Sequence, residues 1–143
     1  EREIIHGNLL VADLPSAWNE RFEADFGRRP SRIEDGVLQD IHWPAGLIGY
    51  FPTYTLGNIF SAQIMAAAQQ SGVGTPQQIR DGEFAPLLHW LRENVHAFGR
   101  IYTSEALVEK ASGKPVSEQY LVDSLYQRYG PLHGLSPDTP QLL

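Results

Sequence analysis

Hydrophobic and polar positions recur with a helical period in several separate stretches of this chain, and no stretch shows the alternation of a half-buried strand. From Asp13 the sequence DLPSAWNERFEADFG sets Trp18, Phe22 and Phe26 four residues apart, with Asp13 as cap, Pro15 in the first turn and Gly27 as the stop. A second helix is expected to open at Pro52 and run to Gly72, with Leu56, Ile59, Phe60, Ile64 and Ala67 along one side. Its small residues Gly57, Ser61, Ala62 and Ala66 predict close packing on another side. The stripe Phe84, Leu87, Leu88, Leu91, Val95 and Phe98 predicts a helix over 83–98 that Gly99 ends, and Pro86 fits there only in the first turn. Shorter helices are expected from Ser104 to Gly113, and from a cap at Ser117 through Tyr120, Leu121, Leu125 and Tyr129 to Gly130 and Pro131. Residues 1–5 read as the middle of a charged amphipathic helix that ends near Gly7, so the chain is expected to begin inside an element of something longer. The pattern therefore predicts an all-α protein, with a single helical domain over 1–131 and an extended or mobile tail over 132–143.

Residues 28–51 keep neither period and are punctuated by Gly36, Pro44, Gly46 and Gly49, so they read as a long structured loop broken by a helical turn. Loops of this length inside a domain are commonly functional. Here the loop and the start of the next helix form GVLQDIHWPAGLIGYFPTYTLG, from Gly36 to Gly57. His42, Tyr50 and Tyr54 all carry hydrogen-bonding heads, and Gly46 and Gly49 let the backbone between them turn tightly. Tyr54 falls in the first turn of the helix from Pro52 and Tyr50 just before it. A helix start offers free N–H groups and partial positive charge, a favourable place for a carboxylate or a developing oxyanion. Gln39 and Asp40 are close enough in sequence to orient His42. The plainer reading is that these are boundary residues of a core, each polar head satisfied by a neighbour, and Trp43 and Phe51 are assigned to packing.

Composition narrows the classes. The chain has 143 residues, 42% of them hydrophobic, which is enough for a packed core, and a formal charge of -6 argues against nucleic-acid and acidic-membrane surfaces. It has no cysteine, so disulfides, thiolate metal sites and cysteine nucleophiles are excluded, with a lean towards the cytoplasm. No apolar run reaches the roughly 18–20 residues of a membrane helix. The sequence contains no HExxH, no GxSxG and no glycine-rich phosphate loop. His89 and His96, seven apart with Glu93 between them, read as a partly exposed helix face rather than metal ligands.

The segment Gly36-Val37-Leu38-Gln39-Asp40-Ile41-His42-Trp43 resembles the GxxQDxHW signature of the carboxypeptidase Taq family of zinc metallocarboxypeptidases, and residues 49–57 resemble the GYFPTYTLG that follows it there. The likeness extends upstream through Asp13-Leu14-Pro15 and Trp18-Asn19-Glu20. Downstream it runs through residues 90–96, Gly99-Arg100, Ala111-Ser112-Gly113 and Tyr120-Leu121. Such enzymes are similar in fold to the thimet oligopeptidase and angiotensin-converting enzyme group, largely helical around a deep groove, and many are homodimers. They release C-terminal residues from peptides, with zinc or cobalt held by an HExxH helix and a later glutamate. The resemblance implies that His42, Tyr50 and Tyr54 face that metal across the groove and bind the scissile carbonyl oxygen or the terminal carboxylate. Gln39, Asp40 and Gly49, their neighbours in sequence, are expected to bind substrate or to support them.

This sequence departs from the family pattern in having Pro44 where serine is usual and Ile48 where an aromatic is usual. The family's HExxH, HESQ and IRxxAD segments, all N-terminal to the matching region, are absent. The expectation is thus the C-terminal portion of such an enzyme: it supplies substrate and transition-state contacts but no metal ligands, is inactive alone, and has the missing N-terminal portion, a peptide substrate and a second copy of itself as partners. A cut piece, a shortened gene product and half of a split enzyme all fit. The alternative is a non-enzymatic helical interaction module that self-associates.

Overall fold

The computed structural model describes residues 1–135, and among them there are helices and turns but no strand. The expected all-α class is what the chain adopts. It divides into two compact units, residues 1–53 and 54–143.

The first unit opens with α1 (Arg2–Ile5), one turn long, and Gly7 takes φ 76° just beyond it. Helix α2 (Leu14–Phe26) has the expected bounds: Pro15 lies in its first turn and Gly27, at φ 69°, ends it in the left-handed conformation. Asp13 precedes it but makes no side-chain cap hydrogen bond. The rings of Phe22 and Phe26, one turn apart, lie 4.6 Å from centroid to centroid. The loop after α2 contains two single 3₁₀ turns, Ile33–Asp35 and Val37–Gln39, and the second packs on α2. Gly36, between the turns, lies so close to α2 that a Cβ there would meet Asn19 Oδ1 at 2.9 Å. That approach buries Val37 and, at the end of the turn, Asp40.

In the second unit, α3 (Pro52–Gln70), which begins at the last residues of the first, runs unbroken past Gly57. Its buried positions are Gln63, Ala67 and Ala68. The small-residue side anticipated for it is not a packing face along its length, because Gly57 and Ser61 are exposed and a Cβ on Gly57 would meet nothing. What anchors α3 is polar. Gln63, 0% exposed, donates from Nε2 to Ser112 Oγ at 2.9 Å and to the Lys114 and Pro115 carbonyls at 3.0 Å, and its Oε1 accepts from the Ser117 N–H at 3.0 Å. One amide side chain thus satisfies the connection between α6 (Ser104–Ser112) and α7 (Gln119–Tyr129).

Between them lie α4 (Pro76–Arg80) and α5 (Ala85–Asn94). No hydrophobic stripe marks α4, whose five residues are too few for one. The helix expected over 83–98 breaks earlier: α5 ends at Asn94, Val95 leaves the helical region at ψ -62° with φ -127°, and His96–Phe98 continues as a 3₁₀ turn. Thr103 caps α6 by accepting from the Ala106 N–H at 3.3 Å, and Gly113 ends it at φ 71°. Glu118, not Ser117, stands at the cap of α7 and makes no side-chain cap bond, while Ser117 Oγ, one residue earlier, accepts from the Gln119 N–H at 3.2 Å. Within the segment expected to be an extended or mobile tail, Leu132 and His133 close a 3₁₀ turn over Gly130–His133, and positions 136–143 lie outside the described residues.

Candidate active-site wall

Residues 40–53 build a small polar platform at the end of the first unit. The buried Asp40 carboxylate accepts twice through Oδ1, from the His42 backbone N–H at 2.9 Å and from His42 Nδ1 at 2.8 Å. A carboxylate oxygen accepts, so this pair places the ring proton on Nδ1 and leaves Nε2 as the atom for other contacts. The His42 side chain is 12% exposed and that of Asp40 5%, so the bond is largely shielded from water. The imidazole also lies against two aromatic rings, Tyr50 at 5.3 Å and 29° and Phe51 at 5.2 Å and 32° between planes. Three contacts therefore fix the orientation of His42.

The chain returns from His42 to Tyr50 through a tight loop. The His42 carbonyl accepts from the Ala45 and Leu47 N–H groups at 3.1 and 2.9 Å, and Trp43 accepts from Gly46 at 2.9 Å. Gly46 and Gly49 hold φ of 71° and 75°, the left-handed region that an L residue enters at a cost. The two ends of this loop meet Glu1. The Trp43 indole N–H donates to Glu1 Oε1 at 2.6 Å and the Gly49 N–H to Glu1 Oε2 at 2.9 Å. Trp43 is thus a hydrogen-bond donor as well as a packing residue, and nothing in the spacing of Glu1 marks it as a partner.

The structure brings His42, Asp40, Tyr50 and Gly49 into one cluster. Gln39 is directed elsewhere, its Nε2 donating to the Glu34 carbonyl. Tyr50 is 44% exposed and its carbonyl accepts from the Thr53 N–H and from Thr53 Oγ1, at 3.0 and 2.6 Å. Since Pro52 has no N–H and that of Thr53 is used, the first two positions of α3 offer no backbone donor to a ligand. Tyr54, 55% exposed, is the first residue of the second unit. Phe51, assigned from sequence to packing, is a wall for the imidazole.

Residues 1–129 match the family model described as carboxypeptidase Taq (M32) metallopeptidase. The chain belongs to that family. It is 39% identical over 134 residues to thermostable carboxypeptidase 1 of Thermus thermophilus, covering 94% of this chain and 26% of that protein. Carboxypeptidase 1 of Bacillus subtilis is 34% identical over 133 residues, with 93% and 26% covered. Among solved structures, the M32 carboxypeptidase from Deinococcus radiodurans R1 superposes with a TM-score of 0.84 at 40% identity, covering 94% of this chain and 27% of that one. The chain thus spans about a quarter of the length of the relatives it matches and aligns with the C-terminal quarter of solved M32 carboxypeptidases.

M32 metallopeptidases work with a metal, and the side chains described here do not suit one. Among the described residues no group of three or more His, Cys, Asp or Glu could hold an ion. His42 Nδ1 is already engaged by Asp40. No helix among them is long and apolar enough to cross a membrane.

Proposed function

We propose that this chain forms one wall of the active site of a metal-dependent carboxypeptidase, and that it contributes contacts to the peptide's C-terminal end while the metal, zinc or cobalt, is held by the rest of the enzyme. The observation that carries this reading is the His42 platform, an imidazole fixed by a buried carboxylate and two rings beside a half-exposed tyrosine. A group that must meet a substrate atom requires such rigid support. In the proposed chemistry the Tyr50 hydroxyl donates to the scissile carbonyl oxygen or the terminal carboxylate, and Tyr54 does the same from the first turn of α3. His42 Nε2 accepts from an N–H or water when the ring is neutral and donates to oxygen when it is charged. Such donors favour a tetrahedral intermediate because its oxygen carries more charge than the ground-state carbonyl. Asp40 and Gly49 support these groups rather than react, and Gln39 braces the preceding turn instead.

On this reading the chain is inactive alone, works in the cytoplasm, and pairs with the N-terminal portion of the enzyme and with a second copy. The deciding experiment mixes it with the N-terminal three quarters of a related M32 enzyme and zinc or cobalt. Release of C-terminal amino acids is expected from the mixture and not from either part. Stoichiometric zinc binding with peptidase activity by the 143-residue chain alone would sink the proposal.

A further inference from the structure

Glu1 lies 42 residues from Trp43 and 48 from Gly49, yet its carboxylate meets both, one oxygen on the indole N–H and the other on the backbone N–H. These two anchored residues stand immediately inside His42 and Tyr50, the two residues whose rings stack 5.3 Å apart. Glu1 therefore ties the two ends of the seven-residue segment 43–49, and that tie fixes the separation of the residues just outside it. Backbone bonds within the segment, from Ala45 and Leu47 to the His42 carbonyl and from Gly46 to that of Trp43, brace its turn, but only Glu1 joins its two ends through one side chain, while Leu47 and Ile48 are exposed. The carboxylate accepts both bonds, and such charge-assisted hydrogen bonds are stronger than neutral pairs and lose most when one partner is changed.

We infer that Glu1 is the positioning residue of the wall: its carboxylate sets the width of the 43–49 loop and through it the placement of His42 against Tyr50. The inference rests on the reading of that pair as substrate contacts, and its test is built not to depend on catalysis. Glu1→Gln replaces one accepting oxygen by a donating NH₂, so that one of the two N–H groups loses its acceptor. In the isotope-labelled 143-residue chain, the Trp43 indole N–H resonance is expected to move upfield and exchange faster, the Gly49 amide to shift, and cross-peaks between the His42 and Tyr50 rings to weaken. The amides of α6 and α7 should be unmoved, which separates this effect from general unfolding. A second variant, Trp43→Phe, removes one donor while keeping a ring. If the tie exists, Glu1→Gln and Trp43→Phe together disturb the His42–Tyr50 cross-peaks less than the sum of the single changes, as expected for residues that share one interaction.

Glu1→Gln spectra unchanged at Trp43, Gly49 and His42–Tyr50 overturn the inference and leave the carboxypeptidase reading standing. If instead the assembled enzyme releases no amino acids, that reading fails while the spectra still decide for or against Glu1.

Discussion

At the scale of residues, the proposed site depends on where one proton and one hydroxyl are held. In the assembled enzyme Tyr50→Phe removes the hydroxyl and keeps the ring, and kcat is expected to fall about 10²–10³-fold, the usual cost of one oxyanion donor. Steady-state kinetics with a peptide substrate checks it, and a change in KM alone would point to ground-state binding instead. Asp40 can be probed without catalysis. Because its Oδ1 serves both the His42 N–H and Nδ1, Asp40→Ala leaves two donors without their acceptor and should destabilise the chain by about 1–3 kcal/mol. Asp40→Asn keeps an accepting oxygen and should recover most of that loss in thermal unfolding. That His42, Tyr50 and Asp40 come together was legible because all three lie in one short glycine-punctuated loop. Gln39 and Glu1 illustrate the limit. Adjacency in sequence put Gln39 beside Asp40, but the 3₁₀ turn over Val37–Gln39 sends its amide back to the Glu34 carbonyl. Glu1 reaches the loop through tertiary closure, which no local spacing encodes.

Among the elements, α2 and α6, which end at glycines, were read correctly, whereas α4 and the break at Val95 were not. Gly27 and Gly113 both end helices in the left-handed conformation, at the residues where the pattern stopped. Helix α4 escaped notice although its signal was present: Thr75 and Gln78 form a reciprocal capping box, with Thr75 Oγ1 accepting from the Gln78 N–H. Thr75→Ala is therefore expected to cost about 1 kcal/mol, measurable by denaturant titration. The larger omission was Gln63. A polar residue in the middle of α3 would ordinarily be placed on a wet face, but here it is the most deeply buried side chain of its size and makes four hydrogen bonds to the α6–α7 connection. Gln63→Leu conserves volume roughly and strands those groups, so a loss of roughly 3 kcal/mol is expected in chemical denaturation. A change under about 0.5 kcal/mol, the scale of an ordinary surface substitution, would show that water replaces the amide at no cost.

For the whole molecule, the decisive quantity is how much of an enzyme is present. The match takes in 94% of this chain but 26% of the Thermus thermophilus carboxypeptidase, and family membership does not carry the activity of that protein with it. Large apolar side chains such as Ile41, Leu47, Ile48 and Phe51 are exposed around the proposed wall. Contiguous exposed apolar surface marks an interaction site. The isolated chain should accordingly sediment as a species that grows with concentration, and adding the N-terminal portion of a related enzyme should convert it to a defined complex. A strictly monomeric chain at all concentrations, unaffected by that portion, would count against the proposed assembly. The Gln63 anchor has a consequence of another kind. The Ser117 amide lies outside every helix, where exchange with deuterated water is ordinarily fast, yet it donates to a carbonyl with no solvent access. It should retain its hydrogen as long as the interior amides of α3, so that the slowest-exchanging loop position in the second unit reports the integrity of a single glutamine.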